Sequence, residues 1–176
     1  VLFDLDGTLI DTAPDLMGAV DRLLAEKGLG SVPHDLIRPL ISFGSRPMLR
    51  RALEFNKHRI VEATFDDWWQ RYLQIYAANI AVHSRPFPGL LPLLDRLQDR
   101  GATLAVCTNK MEGMSRKLLD ALGMTSRFAV IAGRDTFPNC FKPHPEHILG
   151  VIRQAGGTPG LAIMVGDSDV DIAAAR

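Results

Sequence analysis

The sequence predicts an α/β protein, a doubly wound (Rossmann-like) parallel sheet carrying an inserted all-helical domain. Three observations carry that expectation. Short apolar runs alternate with helical patterns in 1–13 and 86–176, those runs are nearly continuous, and 14–85 holds helical patterns without a convincing strand. Continuous apolar runs suit strands buried on both faces, as in a parallel sheet covered by helices. Their alternation with helices argues for doubly wound packing.

Taken in order, Val1-Leu2-Phe3 reads as the first strand. The first helix of the insert begins around Thr12-Ala13-Pro14-Asp15, with Thr12 as its N-cap and Pro14 tolerated in the first turn. Leu16, Met17, Val20, Leu23 and Leu24 share one face, and Gly28 closes the helix. Further helical patterns cover 46–55 and 62–81. The latter carries Tyr72, Tyr76 and the Trp68-Trp69 pair, expected in the core of the insert or on an association surface. Pro86-Phe87-Pro88-Gly89 marks the return to the α/β part. Strands are then expected over 103–107, 128–131 and 161–165, and helices over 90–100, 112–122 and 145–155. The expected division is an α/β core of 1–13 and 86–176 and a helical cap of 14–85, placed after the first strand as a lid would be. The chain opens inside a strand and stops inside a helix at Ala173-Ala174-Ala175-Arg176, so it reads as clipped at both ends.

Composition narrows the function classes. With 176 residues, 47% hydrophobic and 23% charged, the chain can bury one good core. A formal net charge of zero gives no bulk attraction to nucleic acid or an anionic membrane. No run of 18 apolar residues is present to span a bilayer. Cys107 and Cys140 form no disulfide framework or metal spacing, which points to a reducing cytoplasm, and Cys107 reads as a small buried hydrophobe. Nothing in the sequence separates a monomer from a homodimer.

Ligands of open α/β sheets bind beyond the carboxyl ends of the strands, so the residues following each strand matter most. Those are Asp4-Leu5-Asp6-Gly7-Thr8, Thr108-Asn109-Lys110, the loop with Lys142-Pro143, and Gly166-Asp167-Ser168-Asp169-Val170-Asp171. Asp4 and Asp6 are two apart in an extended segment and share a side, and Gly7 lets the chain turn after them. Clustered carboxylates call for a cation, and hard oxygen ligands favour Mg2+. A carboxylate nucleophile splits phosphate-ester hydrolysis into two easier steps, and a second carboxylate can serve as acid and then base. The Thr108 hydroxyl, Asn109 and the Lys142 ammonium suit the equatorial oxygens of a phosphoryl group. Asp167 completes the metal shell, Asp171 is expected behind it, and Asp169 faces solvent. Thr108 alone could equally cap a helix. His144 and His147 stand at helical spacing without an evident third ligand, so local hydrogen bonding is the expectation. In the insert, Arg46 after Ile41-Ser42-Phe43-Gly44-Ser45 is a candidate for a substrate's anionic end, weighed equally against a solvated arginine.

These four segments, in this order, resemble the motifs of the haloacid-dehalogenase-like hydrolases, in the phosphatase branch with a helical cap after the first motif. Phe87-Pro88-Gly89, Thr108-Asn109-Lys110 and Lys142-Pro143-His144-Pro145 are most similar to the phosphoglycolate phosphatases. The resemblance implies Asp4 as nucleophile, Asp6 as acid/base, and Mg2+ held by Asp4, the backbone carbonyl of Asp6, and Asp167. Dehalogenases of that superfamily lack the second aspartate, so Asp6 counts against dehalogenation. Family members usually continue past the last motif into further sheet elements. The implied reaction is Mg2+-dependent hydrolysis of a small anionic phosphomonoester, most specifically 2-phosphoglycolate, through an aspartyl phosphate. The enzymatic alternatives are a sugar-phosphate phosphatase, a pyrophosphatase or a phosphomutase. A phospho-acceptor receiver domain is the alternative of another class, opposed by Asp6 and the long helical insert.

Overall fold

Leu2 and Phe3 find a strand on each side, which is why so short a run is so deeply buried. The computed structural model describes residues 1–176. In chain order its elements are strands β1 (Leu2–Phe3) and β2 (Ile10–Asp11) and helices α1 (Ala13–Glu26), α2 (His34–Ile37), α3 (Ser45–Phe55) and α4 (Glu62–Ala78). Strand β3 (Arg85–Pro86), helix α5 (Leu90–Asp99), strand β4 (Ala105–Cys107), helix α6 (Glu112–Ala121) and strand β5 (Val130–Ala132) follow. Helix α7 (Pro145–Gln154), strand β6 (Met164–Val165) and helix α8 (Asp169–Ala175) complete the chain. Two units emerge, Val1–Asp11 with Arg85–Arg176, and Thr12–Ser84.

The first unit is the expected α/β sheet. Its order is β5-β4-β1-β6, every pairing parallel, with Phe3 level with Val106 and Val165. Leu2, Ala105, Cys107 and Ala132 of the strands pack with Ile148, Val151 and Ile152 of α7 and Ala174 of α8 into one core cluster. The run 161–165 departs from a fully buried strand. Residues Pro159–Leu161 form a 3-10 turn, Leu161 is 87% exposed, and only Met164–Val165 pair. The physical reason is local: Leu161 lies in that turn, ahead of the two residues that pair with β1. A second departure is an antiparallel ribbon of β2 and β3, which pairs Ile10 with Pro86 and Asp11 with Arg85 where no strand was expected.

The second unit is all helical. Helices α1 and α4 pack on each other, with Leu16, Val20, Leu23 and Leu24 of α1 and Phe65, Tyr72, Ile75 and Tyr76 of α4 buried at the 3.6-residue period. Thr12 precedes α1 but makes no side-chain cap, because its backbone is already helical (φ −97°, ψ −7°), whereas a capping residue sits in the β region. The first turn is secured instead by Asp15, whose buried carboxylate accepts from the backbone N–H groups of His83 (2.9 Å) and Ser84 (2.8 Å) and from the Ser84 hydroxyl (2.7 Å). Helix α4 stops at Ala78, three residues short of the expected end. The tryptophans lie half-buried on this unit. Trp68 stacks on His58 with Lys27 5.0 Å from its ring, and Trp69 donates to the Ser45 hydroxyl at 3.0 Å. No helix is long and apolar enough to cross a membrane.

Candidate active site

Parallel register sets the site, because residues that end neighbouring strands at one level emerge together. Asp4 leaves β1 with its N–H bonded to the Val165 carbonyl at 2.9 Å. The residue is 3% exposed, and its carboxylate accepts the Leu5 N–H at 2.8 Å and faces the Lys142 ammonium at 2.9 Å. Burial raises its pKa most, Lys142 pulls it down and Asp171 raises it again, leaving it at about 6. Lys142 is itself 1% exposed and bridges Asp4 to Asp171, which lies 2.5 Å away. Burial pulls the ammonium down, yet the two carboxylates outweigh it and its pKa is raised.

The last strand brings the other acids. Asp167 is exposed and accepts the Thr8 hydroxyl at 2.9 Å. Gly7, between the first-motif acids and Thr8, has φ +85°, and a Cβ there would fall 2.5 Å from Asp167 Oδ2, so only glycine admits this approach. Asp171 opens α8 through a capping box, its Oδ2 accepting the Ser168 hydroxyl (2.6 Å) and N–H (3.1 Å). Asp169, between them, is exposed.

Thr108 is buried at the end of β4. Its N–H donates to the Ala132 carbonyl (3.0 Å), and its hydroxyl accepts the Lys110 N–H (3.2 Å). It caps no helix, because α6 starts at Glu112 with Met111 in the capping position. The Asn109 amide donates to the Lys142 carbonyl at 2.9 Å and so ties the second motif to the third. Sequence reasoning gave Lys110 no role, yet its Nζ lies 3.0 and 3.2 Å from the two carboxylate oxygens of Asp6. The signal was its place in the Thr-Asn-Lys segment after a strand. Thr8 was missed likewise. Asp4, Asp6, Thr108, Asn109, Lys142, Asp167 and Asp171 are therefore gathered within one unit.

Arg46 belongs to the helical unit, where Glu62 (2.9 Å) and Asp66 (2.6 Å) pair with it and the rings of Phe65 and Trp69 flank its guanidinium. The histidines are engaged locally. His144 accepts the Glu146 N–H at the start of α7, and His147 lies between Cys107 Sγ (3.7 Å) and the Gly133 carbonyl (3.1 Å). Burial pushes the Cys107 thiol up to about 12 and the His147 imidazole down to about 4, so this pair is a neutral packing contact rather than an activated thiolate.

The donor set fits a hard divalent cation. Carboxylate oxygens of Asp4, Asp167 and Asp171 lie within 4.8 Å of one another. Four carboxylates (Asp4, Asp6, Asp167, Asp171) face two ammonium groups (Lys110, Lys142), an excess of negative charge that such an ion offsets.

A sequence profile of haloacid dehalogenase-like hydrolases matches residues 1–176. The chain is 45% identical over 175 residues to the phosphoglycolate phosphatase of Agrobacterium fabrum, covering 99% of this chain and 75% of that protein. It is 43% identical over 176 residues to the phosphoglycolate phosphatase of Mesorhizobium japonicum, covering 100% of this chain and 77% of the relative. The crystal structure of a predicted phosphoglycolate phosphatase from Haemophilus somnus 129PT superposes with a TM-score of 0.91 at 30% identity, covering 99% of this chain and 79% of that one.

Proposed function

This chain belongs to the haloacid dehalogenase-like hydrolase family, and from that premise we propose that it is a Mg2+-dependent phosphatase of a small phosphomonoester, working through a phosphorylated Asp4. The observation that carries the reading is Asp4 itself, a buried carboxylate against Lys142 and within reach of two further acids. Lys142 favours the ionised, nucleophilic form of Asp4 against the burial that opposes it.

In the first step an Asp4 oxygen bonds to phosphorus as the bond from phosphorus to the leaving oxygen breaks, and a proton passes from the Asp6 carboxyl to the leaving oxygen, which departs as the alcohol. In the second, water oxygen bonds to phosphorus as the Asp4–phosphorus bond breaks, and the water proton passes to Asp6. The Thr108 hydroxyl and the Lys142 ammonium stabilise the charge that spreads over the equatorial phosphoryl oxygens. Asn109 orients the Lys142 loop through its bond to the Lys142 carbonyl. Asp4, the Asp6 backbone carbonyl and Asp167 would hold Mg2+, with Asp171 paired to Lys142. When bound, the ion offsets the carboxylate charge and neutralises charge on the phosphoryl group. The helical unit Thr12–Ser84 is proposed as the cap that shields the reaction from water.

The substrate proposed is 2-phosphoglycolate, supported by the relatives from Agrobacterium fabrum and Mesorhizobium japonicum, which carry that activity in their names. Phosphate release from 2-phosphoglycolate, sugar phosphates and pyrophosphate, with and without Mg2+, tests it. The proposal expects 2-phosphoglycolate to be the best of these and to need the ion. A panel led by a sugar phosphate or pyrophosphate removes the substrate assignment, and isomerised product without free phosphate makes the enzyme a mutase.

A further inference from the structure

Lys110 has no part in the reaction just described, yet it is built into the site. Its side chain is only 6% exposed, and a buried ammonium is tolerated when it is paired and hydrogen-bonded. Both Asp6 oxygens lie within hydrogen-bond distance of Nζ, so the contact is two-pointed. The lysine backbone is fastened as well. Its N–H donates to the Thr108 hydroxyl, and its carbonyl accepts the Arg134 N–H at 3.0 Å. Two residues later the Glu112 N–H donates to Asp135 at 2.7 Å, and the Thr136 hydroxyl donates to the Glu112 carboxylate at 2.6 Å. Gly133 makes this docking possible, since a Cβ there would stand 2.5 Å from the Lys110 carbonyl oxygen and 2.2 Å from the Glu112 nitrogen. The loop after β5 thus fixes the turn that aims Lys110 at Asp6.

We propose that Lys110 is a positioning residue for Asp6 and that its effect falls chiefly on the second half-reaction, release of the phosphoryl group from Asp4. The proposal rests on the phosphatase reading. In that half-reaction water must meet phosphorus while its proton meets an Asp6 oxygen, so the carboxylate must be held in one orientation. The first half-reaction is less demanding when the leaving group departs without a proton, as p-nitrophenolate does. Loss of the two-point contact therefore separates the steps.

The test uses p-nitrophenyl phosphate with Mg2+. Lys110→Met keeps the stem and removes the charge. It is expected to release one equivalent of p-nitrophenol per enzyme in a burst, then turn over about ten- to a hundredfold more slowly than the unaltered protein. Because the first irreversible step is spared, kcat falls while kcat/KM holds. Lys110→Arg keeps the cation and is expected to restore turnover without the burst. Should Lys110→Met fail to fold by circular dichroism, Lys110→Gln is read in the same way. Unchanged kcat, kcat and kcat/KM falling together, or an arginine variant as slow as the methionine one would each overturn the proposal. Asp4→Asn separates it from the parent reading: a burst in that variant refutes Asp4 as the phosphoryl acceptor, whatever Lys110 does.

Discussion

A single buried imidazole shows how residue chemistry reaches the stability of this protein. His147 is wholly buried, and burial is the main reason its pKa falls from 6.5 to about 4. Lys142 adds to the depression, and the bond to the Gly133 carbonyl opposes it. Between these two values the unfolded chain binds a proton that the folded chain refuses. Stability from this group is therefore full above pH 6.5 and is lost as pH falls toward 4. The shift corresponds to about 3 kcal/mol. Asp4 acts in the opposite sense, since its raised pKa lets the folded state bind the extra proton below about pH 6. Comparing the protein with His147→Gln cancels that contribution. Urea unfolding from pH 7 to 4 is expected to show a shallower loss of stability in the variant, and parallel curves would contradict the buried, neutral imidazole.

At the scale of elements, what was legible depended on periodicity and what was hidden depended on partners. The apolar face of α1 and the glycine after it could be read because both are local. The β2–β3 ribbon could not, because its two-residue strands are joined by a pairing across the whole helical insert. Leu161 and Ile163 read as buried strand because composition does not reveal where a turn ends and pairing begins. The four site segments were visible as chemistry after strands, whereas the Lys110–Asp6 contact needed the docking of one loop on another. Thr12 failed as a cap because its backbone is already helical, and Asp15 anchors the element instead, holding the residues that close the helical unit, His83 and Ser84. Asp15→Ala strands the buried N–H and hydroxyl of Ser84 that it now satisfies, at a cost on the order of 3 kcal/mol. Thermal unfolding should show a clear drop in Tm, and a change within about 0.5 kcal/mol would put the anchoring elsewhere.

For the molecule as a whole, the parallel sheet explains why chemistry from four distant segments converges. Strands in one register deliver Asp4, Thr108 and Asp167 to one edge, and the loop after β5 brings the Lys142 ammonium onto Asp4 and Asp171. The helical unit contributes none of these groups, so the reaction class rests on the α/β unit alone while substrate choice is left to other contacts. The central claim is that Asp4 carries the phosphoryl group. Rapid acid quench of the enzyme turning over p-nitrophenyl phosphate, followed by borohydride reduction and peptide mass spectrometry, reads the acceptor directly. The account predicts reduction to homoserine at position 4, absent when substrate is omitted. Modification at a different residue, or none at Asp4 while phosphate is being released from a trapped covalent intermediate, would contradict it.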